Sequence, residues 1–119
     1  MVQAVQAQIF GIKNSAATRA AERFFKERGV QIHFVDLKVK PIAPGEIKRF
    51  IERFTLQGLI DIESTAYAEA GLKYLRVADP ELLEKCNREP KLWKLPFVRC
   101  NDRISIGADE VSWKAMVQK

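Results

Sequence analysis

This chain has little cysteine, little histidine and no long apolar run. Its 119 residues include two cysteines, Cys86 and Cys100, and a single histidine, His33. No Cys-x-x-Cys pair occurs, which excludes a standard dithiol redox centre. Two cysteines and one histidine do not make a zinc set. A structural disulfide is not expected in a chain read as cytoplasmic. No apolar run approaches membrane-spanning length. The opening residues 1–8 lack the basic start and continuous apolar stretch of a secretion signal. The expectation is a cytoplasmic protein with no membrane partner.

Hydrophobic residues make up 47% and charged residues 29% of the chain, a globular balance with enough apolar material for one core. The formal charge is +5, but the basic residues are scattered from Lys13 to Lys119. Scattered charge reads as a solvated surface. A nucleic-acid face would need clustering, so nucleic acid is not an expected partner.

The stretch Ile9 to Arg19 organises the chain. Val5, Ala7 and Ile9 alternate with glutamines, which predicts a first strand over 6–10. A polar turn, Lys13-Asn14-Ser15, then opens into a helix over 16–28. Ala17, Ala20, Ala21, Phe24 and Phe25 share its apolar face, and Gly29 suits its end. Asn14 and Ser15 are both suited to capping the unpaired amides of the first turn. The same amides form a positive pole, so Lys13, Asn14, Ser15 and Arg19 are also a candidate anion site.

Residues 31–37, rich in β-branched and aromatic side chains, predict a second strand, parallel to the first across a right-handed crossover. His33 falls within it and reads as an ordinary strand histidine or a remote base. Pro44-Gly45-Glu46 starts a second helix with the stripe Ile47, Phe50, Ile51 and Phe54. A short helix is expected from Thr65 to Ala70. Asp79-Pro80-Glu81 predicts another, with Asp79 as N-cap and Pro80 at the first helical position. Leu82, Leu83 and Cys86 share its face, and Pro90 stops it. Phe97 to Cys100, a turn at Asn101-Asp102, and Arg103 to Ile106 read as a hairpin. A helix over 109–117 closes the chain.

The order is βαβ, a helical insert at about 44–88, then ββα. This is an α/β, thioredoxin-like arrangement: one domain over 1–119, with a mixed four-stranded sheet flanked by helices and its third strand antiparallel to its first.

At this point the chain resembles the ArsC/Spx family of arsenate reductase-like, YffB-like and Spx-like proteins. The resemblance rests on Ile9-Phe10-Gly11-Ile12-Lys13-Asn14, the insert from Pro44 to Asn87, Leu95-Pro96-Phe97-Val98, and Ile106-Gly107 after the hairpin. It implies a glutaredoxin-like fold and a cis peptide before Pro96, the proline that lines the family's active site. It also implies a degenerate centre. The family's catalytic cysteine falls on Ser15, and the second cysteine of Spx-type centres falls on Thr18. The oxyanion-holding arginines fall on Leu95, Ala108 and Glu63.

A serine hydroxyl is far weaker than a thiol as an acid and cannot form a disulfide. The expectation is therefore a non-catalytic, protein-binding or regulatory member that needs no cofactor. By analogy with Spx regulators, RNA polymerase is one candidate partner. The alternative is a divergent arsenate reductase-like or glutathione-dependent oxidoreductase using another cysteine. Cys100 is that alternative nucleophile, although it should lie roughly 13 Å along a strand from Pro96. Cys86, on an apolar helix face, reads first as a buried small hydrophobe.

Overall fold

The computed structural model describes residues 6–117; Val5, which opens the alternating pattern ahead of the first strand, lies outside them. The elements in chain order are β1 (Gln6–Gly11), α1 (Ala16–Glu27), β2 (Gln31–Asp36), α2 (Pro44–Gly58), α3 (Thr65–Glu69), α4 (Asp79–Arg88), β3 (Phe97–Cys100), β4 (Arg103–Ile106) and α5 (Glu110–Val117). Single 3₁₀ turns occupy Leu72–Tyr74 and Pro90–Leu92. The chain divides into two compact units, one formed by residues 1–36 and 95–119, the other by residues 37–94.

The first unit holds the sheet, in the order β2-β1-β3-β4. β1 runs parallel to β2, with Ile9 opposite Phe34. It runs antiparallel to β3, with Phe10 opposite Phe97 and Ala7 opposite Cys100. β4 returns antiparallel to β3. This is the expected thioredoxin-like mixed sheet.

Ala7, Ile9, Val98 and Cys100 of the sheet share one core with Ala21, Phe24 and Phe25 of α1 and Trp113 and Met116 of α5. The Phe24 and Phe25 rings meet edge to face, with centroids 5.1 Å apart, and Trp113 leans on both. Such pairs add to the stabilisation from burial alone.

Local chemistry sets the element ends. α1 closes through Gly29 at φ +71°, whose N–H donates to the Lys26 carbonyl oxygen at 3.1 Å. A left-handed residue there suits glycine, which has no Cβ to clash. Asn101 turns the hairpin at φ +60°, a region asparagine tolerates better than most residues. Asp109 caps α5: one carboxylate oxygen accepts from the Ser112 N–H at 3.1 Å and the other from its hydroxyl at 2.6 Å.

The second unit departs from expectation at two points. Asp79 is not an N-cap. It is the first residue of α4, the cap position is Ala78, and no side chain bonds the first-turn amides. Pro80 therefore stands second in the helix. A carboxylate in the first turn still favours the helix through its dipole. α2 is also broken at Thr55, which takes φ 67° and ψ 158°. The Thr55 hydroxyl accepts the Gly58 N–H at 3.2 Å and so caps the short turn beyond the break. An antiparallel bridge joins Ile60, just after α2, to Trp93 near the end of this unit. Asp61 N–H donates to the Leu92 carbonyl oxygen at 2.9 Å, and Lys94 N–H to that of Leu59 at 2.7 Å.

Among the described residues, no helix is long and apolar enough to cross a membrane.

Candidate functional site

The β1–α1 turn is built from one backbone reversal and one side-chain cap. Ser15 N–H donates to the Ile12 carbonyl oxygen at 3.1 Å, folding the chain over Lys13 and Asn14. Ser15 keeps an extended conformation, φ −87° and ψ 121°, as an N-cap must. Its Oγ accepts the Thr18 N–H at 3.2 Å, and its carbonyl oxygen accepts the Arg19 N–H at 3.0 Å. The hydroxyl is thus occupied by the backbone of its own helix.

Lys13 and Asn14 are exposed at the tip of the turn. The Arg19 guanidinium reaches back and donates to the Lys13 carbonyl oxygen at 3.1 Å. The four residues read as an anion set are therefore neighbours, but two of their polar groups are engaged within the turn itself.

Thr18 lies one turn into α1 and is fully buried. It packs on Gly11 so closely that a side chain at Gly11 has no room. Its Oγ1 has no hydrogen-bond partner among the described residues.

Pro96 follows a cis peptide bond from Leu95 and is fully buried at the start of β3. The residue after it, Phe97, pairs with Phe10. Pro96 therefore lies at the end of the sheet from which the β1–α1 turn projects. Its carbonyl oxygen accepts the Gly107 N–H at 3.0 Å, with Gly107 at φ +70°. Leu95 is buried and apolar, and Ala108 is exposed and carries no charge. Glu63, in the second unit, is exposed, and its N–H donates to an Asp61 carboxylate oxygen at 3.1 Å.

The thiols are elsewhere. Cys100 pairs with Ala7, at the opposite end of β1 from the turn, and belongs to the core of its unit. Burial raises its pKa, and the nearby Arg103 guanidinium offsets only part of that rise. Cys86 lies wholly buried on α4, and burial pushes its thiol up to about 12. A thiol held above its ordinary range offers almost no thiolate near neutral pH.

His33 sits exposed on β2 opposite Gln8, whose Nε2 is 3.4 Å from its Nδ1. Among the described residues, no group of three or more His, Cys, Asp or Glu is placed to hold a metal ion.

Ser15 opens α1 after β1, and Pro96 precedes β3, which pairs with β1. Sequence reasoning missed the contact between Gly11 and Thr18. A glycine ending a strand seven residues before a threonine is the only trace of that contact in the sequence.

The ArsC family profile matches residues 10–116. The chain belongs to the ArsC family. An arsenate reductase from Vibrio cholerae superposes with a TM-score of 0.80 at 17% identity, over 97% of this chain and 100% of its own. A YffB protein superposes at 0.81 with 18% identity, over 94% and 99%. A protein from Staphylococcus aureus superposes at 0.71 with 25% identity, over 92% and 96%. These likenesses establish the arsenate reductase-like fold. No curated protein matches the sequence significantly.

Proposed function

We propose that this ArsC-family chain has left thiol chemistry and works as a non-catalytic module, through contacts with a partner protein in the cytoplasm. One observation carries the reading. The position where the family resemblance expects the nucleophile is Ser15, and its Oγ is spent on capping α1.

A serine acts as a nucleophile only when an adjacent base takes its proton. The partner of Ser15 Oγ is a backbone N–H, which can take none. The positions that correspond to oxyanion-holding arginines carry Leu95, Ala108 and Glu63. Two neutral side chains and a carboxylate offer no bidentate clamp for an arsenate oxygen. Capping accounts for Ser15, and the Lys13 carbonyl oxygen engages Arg19, without a bound anion. Both cysteines are free thiols, as a reducing compartment keeps them.

On this reading the protein needs no cofactor. The use of Cys100 with glutathione is opposed by its burial and raised pKa. RNA polymerase is a candidate partner by analogy with Spx regulators.

The deciding assay supplies arsenate, glutathione and glutaredoxin to the purified protein. The expected result is no turnover above a protein-free control. Turnover that disappears in Cys100→Ala would replace this reading with a relocated nucleophile.

A further inference from the structure

We propose that the exposed segment from Lys73 to Ala78, which leads into α4, docks an extended acidic stretch of a partner protein, with acidic and aliphatic side chains alternating along it. The proposal deepens the partner-binding reading and rests on it. The surface lies wholly within the second unit, and its test does not involve Ser15.

Lys73, Tyr74, Leu75 and Arg76 are exposed in succession. Leu75, at φ −113° and ψ 141°, and Ala78, at φ −66° and ψ 150°, have extended backbone. Leu75 and Val77 line an apolar notch with Ile60, Leu72 and Leu82, whereas Arg76 between them is exposed. This is the two-residue alternation of extended chain. Among the described residues the segment belongs to no sheet, and the backbone N–H and C=O groups of Arg76 and Val77 have no hydrogen-bond partner. Unpaired groups along an exposed extended segment are a template for one more strand.

The free backbone groups fit a peptide, whose own N–H and C=O groups repeat at the same spacing, and a nucleic acid offers no such match. The notch measures about 60 Å³. An engineered cavity of about 150 Å³ holds benzene, so the notch takes the tip of an aliphatic side chain and not a ring. Leu75 is 55% exposed and Tyr74 84% exposed, which leaves apolar surface for that side chain to cover. Charge sets the other face of the partner strand. Lys73 and Arg76 are the only charged residues from Gly71 to Ala78. The Lys73 ammonium stands 5.8 Å from the centroid of the Tyr74 ring. Residues opposite each other in a strand pair share a face, and opposite charges there attract. A carboxylate on the outward face of the partner strand therefore meets Arg76. Asp79 and Glu81 follow in the first turn of α4, so the acidic run must be short.

The probe is the acetylated and amidated peptide Thr-Glu-Val-Glu-Val-Glu-Thr, titrated to millimolar concentration into the ¹⁵N-labelled full chain. Saturable amide shifts confined to residues 72–78 and the notch are expected. The same peptide with glutamine in place of glutamate should bind several-fold more weakly. So should a version N-methylated at its glutamate amides, which keeps the charges but loses the backbone donors. The double variant Lys73→Glu, Arg76→Glu changes two exposed side chains. It should lose the acidic peptide and gain the version with lysine in place of glutamate.

Equal binding of the glutamate and glutamine peptides would overturn the acidic character of the partner. Unchanged binding of the methylated peptide would overturn the strand pairing. Tighter binding of an oligothymidylate at the same residues would put nucleic acid in the place of the peptide. No saturable shift with any peptide, or shifts centred elsewhere, would overturn the surface, whereas the loss of catalysis is decided separately by the arsenate assay.

Discussion

Gly11 and Thr18 pack so closely that a methyl group on the glycine would stand 2.5 Å from Thr18 Oγ1 and 2.6 Å from its Cγ2. Heavy atoms do not approach this closely without bonding, so the end of β1 fits the first turn of α1 only because residue 11 has no side chain. The contact fixes the angle at which the helix leaves the sheet, and with it the position of Ser15.

Gly11→Ala should therefore destabilise the protein by about 1–3 kcal/mol, the usual cost of overpacking a core. Thr18→Ala in the same chain removes the two clashing atoms and should restore most of the loss. Urea midpoints of the two single variants and the double variant measure this. If the two losses simply add, the steric account fails.

Ser15→Ala removes the cap and leaves the Thr18 amide without its acceptor. The expected cost is about 1 kcal/mol, whereas Ser15→Asp should keep most of the stability, because it retains an acceptor and adds a favourable charge at the helix start. Thermal unfolding of the three proteins distinguishes a cap from a free hydroxyl. Equal melting of wild type and Ser15→Ala would mean that the hydroxyl contributes nothing there.

Ser15→Cys separates the scaffold from the chemistry. A thiol at a helix N-terminus titrates well below the ordinary value of about 8.5. It should alkylate with iodoacetamide at pH 6, while Cys86 and Cys100 stay protonated and silent. Arsenate reduction should still be absent, because Leu95, Ala108 and Glu63 remain. Efficient reduction by this variant would show that an oxyanion clamp survives in other residues.

Alkaline pH should weaken the fold through Cys86. The folded thiol is pushed up to about 12, well above its ordinary range. In the unfolded chain the same thiol loses its proton first, so between about pH 9 and 12 the folded state binds more protons. Stability then falls as pH rises, and the contribution is fully present below pH 9. Lysines and tyrosines also titrate in this window, so Cys86→Ala is the control. It should be less stable at pH 8 but lose less on going to pH 11. Parallel stability curves for the two proteins would rule out the buried thiol as the cause.

Much of the first unit was legible because its signals are local. β1 alternates, α1 carries a clean apolar face, and Gly29 marks its end. The hairpin turn is signalled by Asn101-Asp102. In the second unit the sequence misleads at specific residues. The stripe Ile47, Phe50, Ile51, Phe54 runs straight up to Thr55, and threonine has no propensity that announces a positive φ. At Asp79, proline in the next position looks like the start of a helix, but the helix begins one residue earlier. What depends on chain order is legible: Ser15 after Asn14 caps α1, and Pro96 precedes β3 after a cis bond. The site is not legible where it depends on two segments meeting. In the sequence Thr18 is only the position of the family's second cysteine, and its contact with Gly11 shows once β1 is laid against α1.

The central strands β1 and β3 pair from opposite ends of the chain, with residues 37–94 between them. Closing so long a loop costs entropy before any ladder bond repays it. During synthesis β1, α1 and β2 emerge first and can form only a two-stranded half-sheet. Ile9, Phe24 and Phe25 then lack Val98, Cys100 and Trp113 as neighbours and stand open to water. The nascent chain must carry this unfinished apolar surface until its last quarter leaves the ribosome. Truncations that end before Phe97 should therefore be captured by chaperones or aggregate rather than persist as half-sized domains.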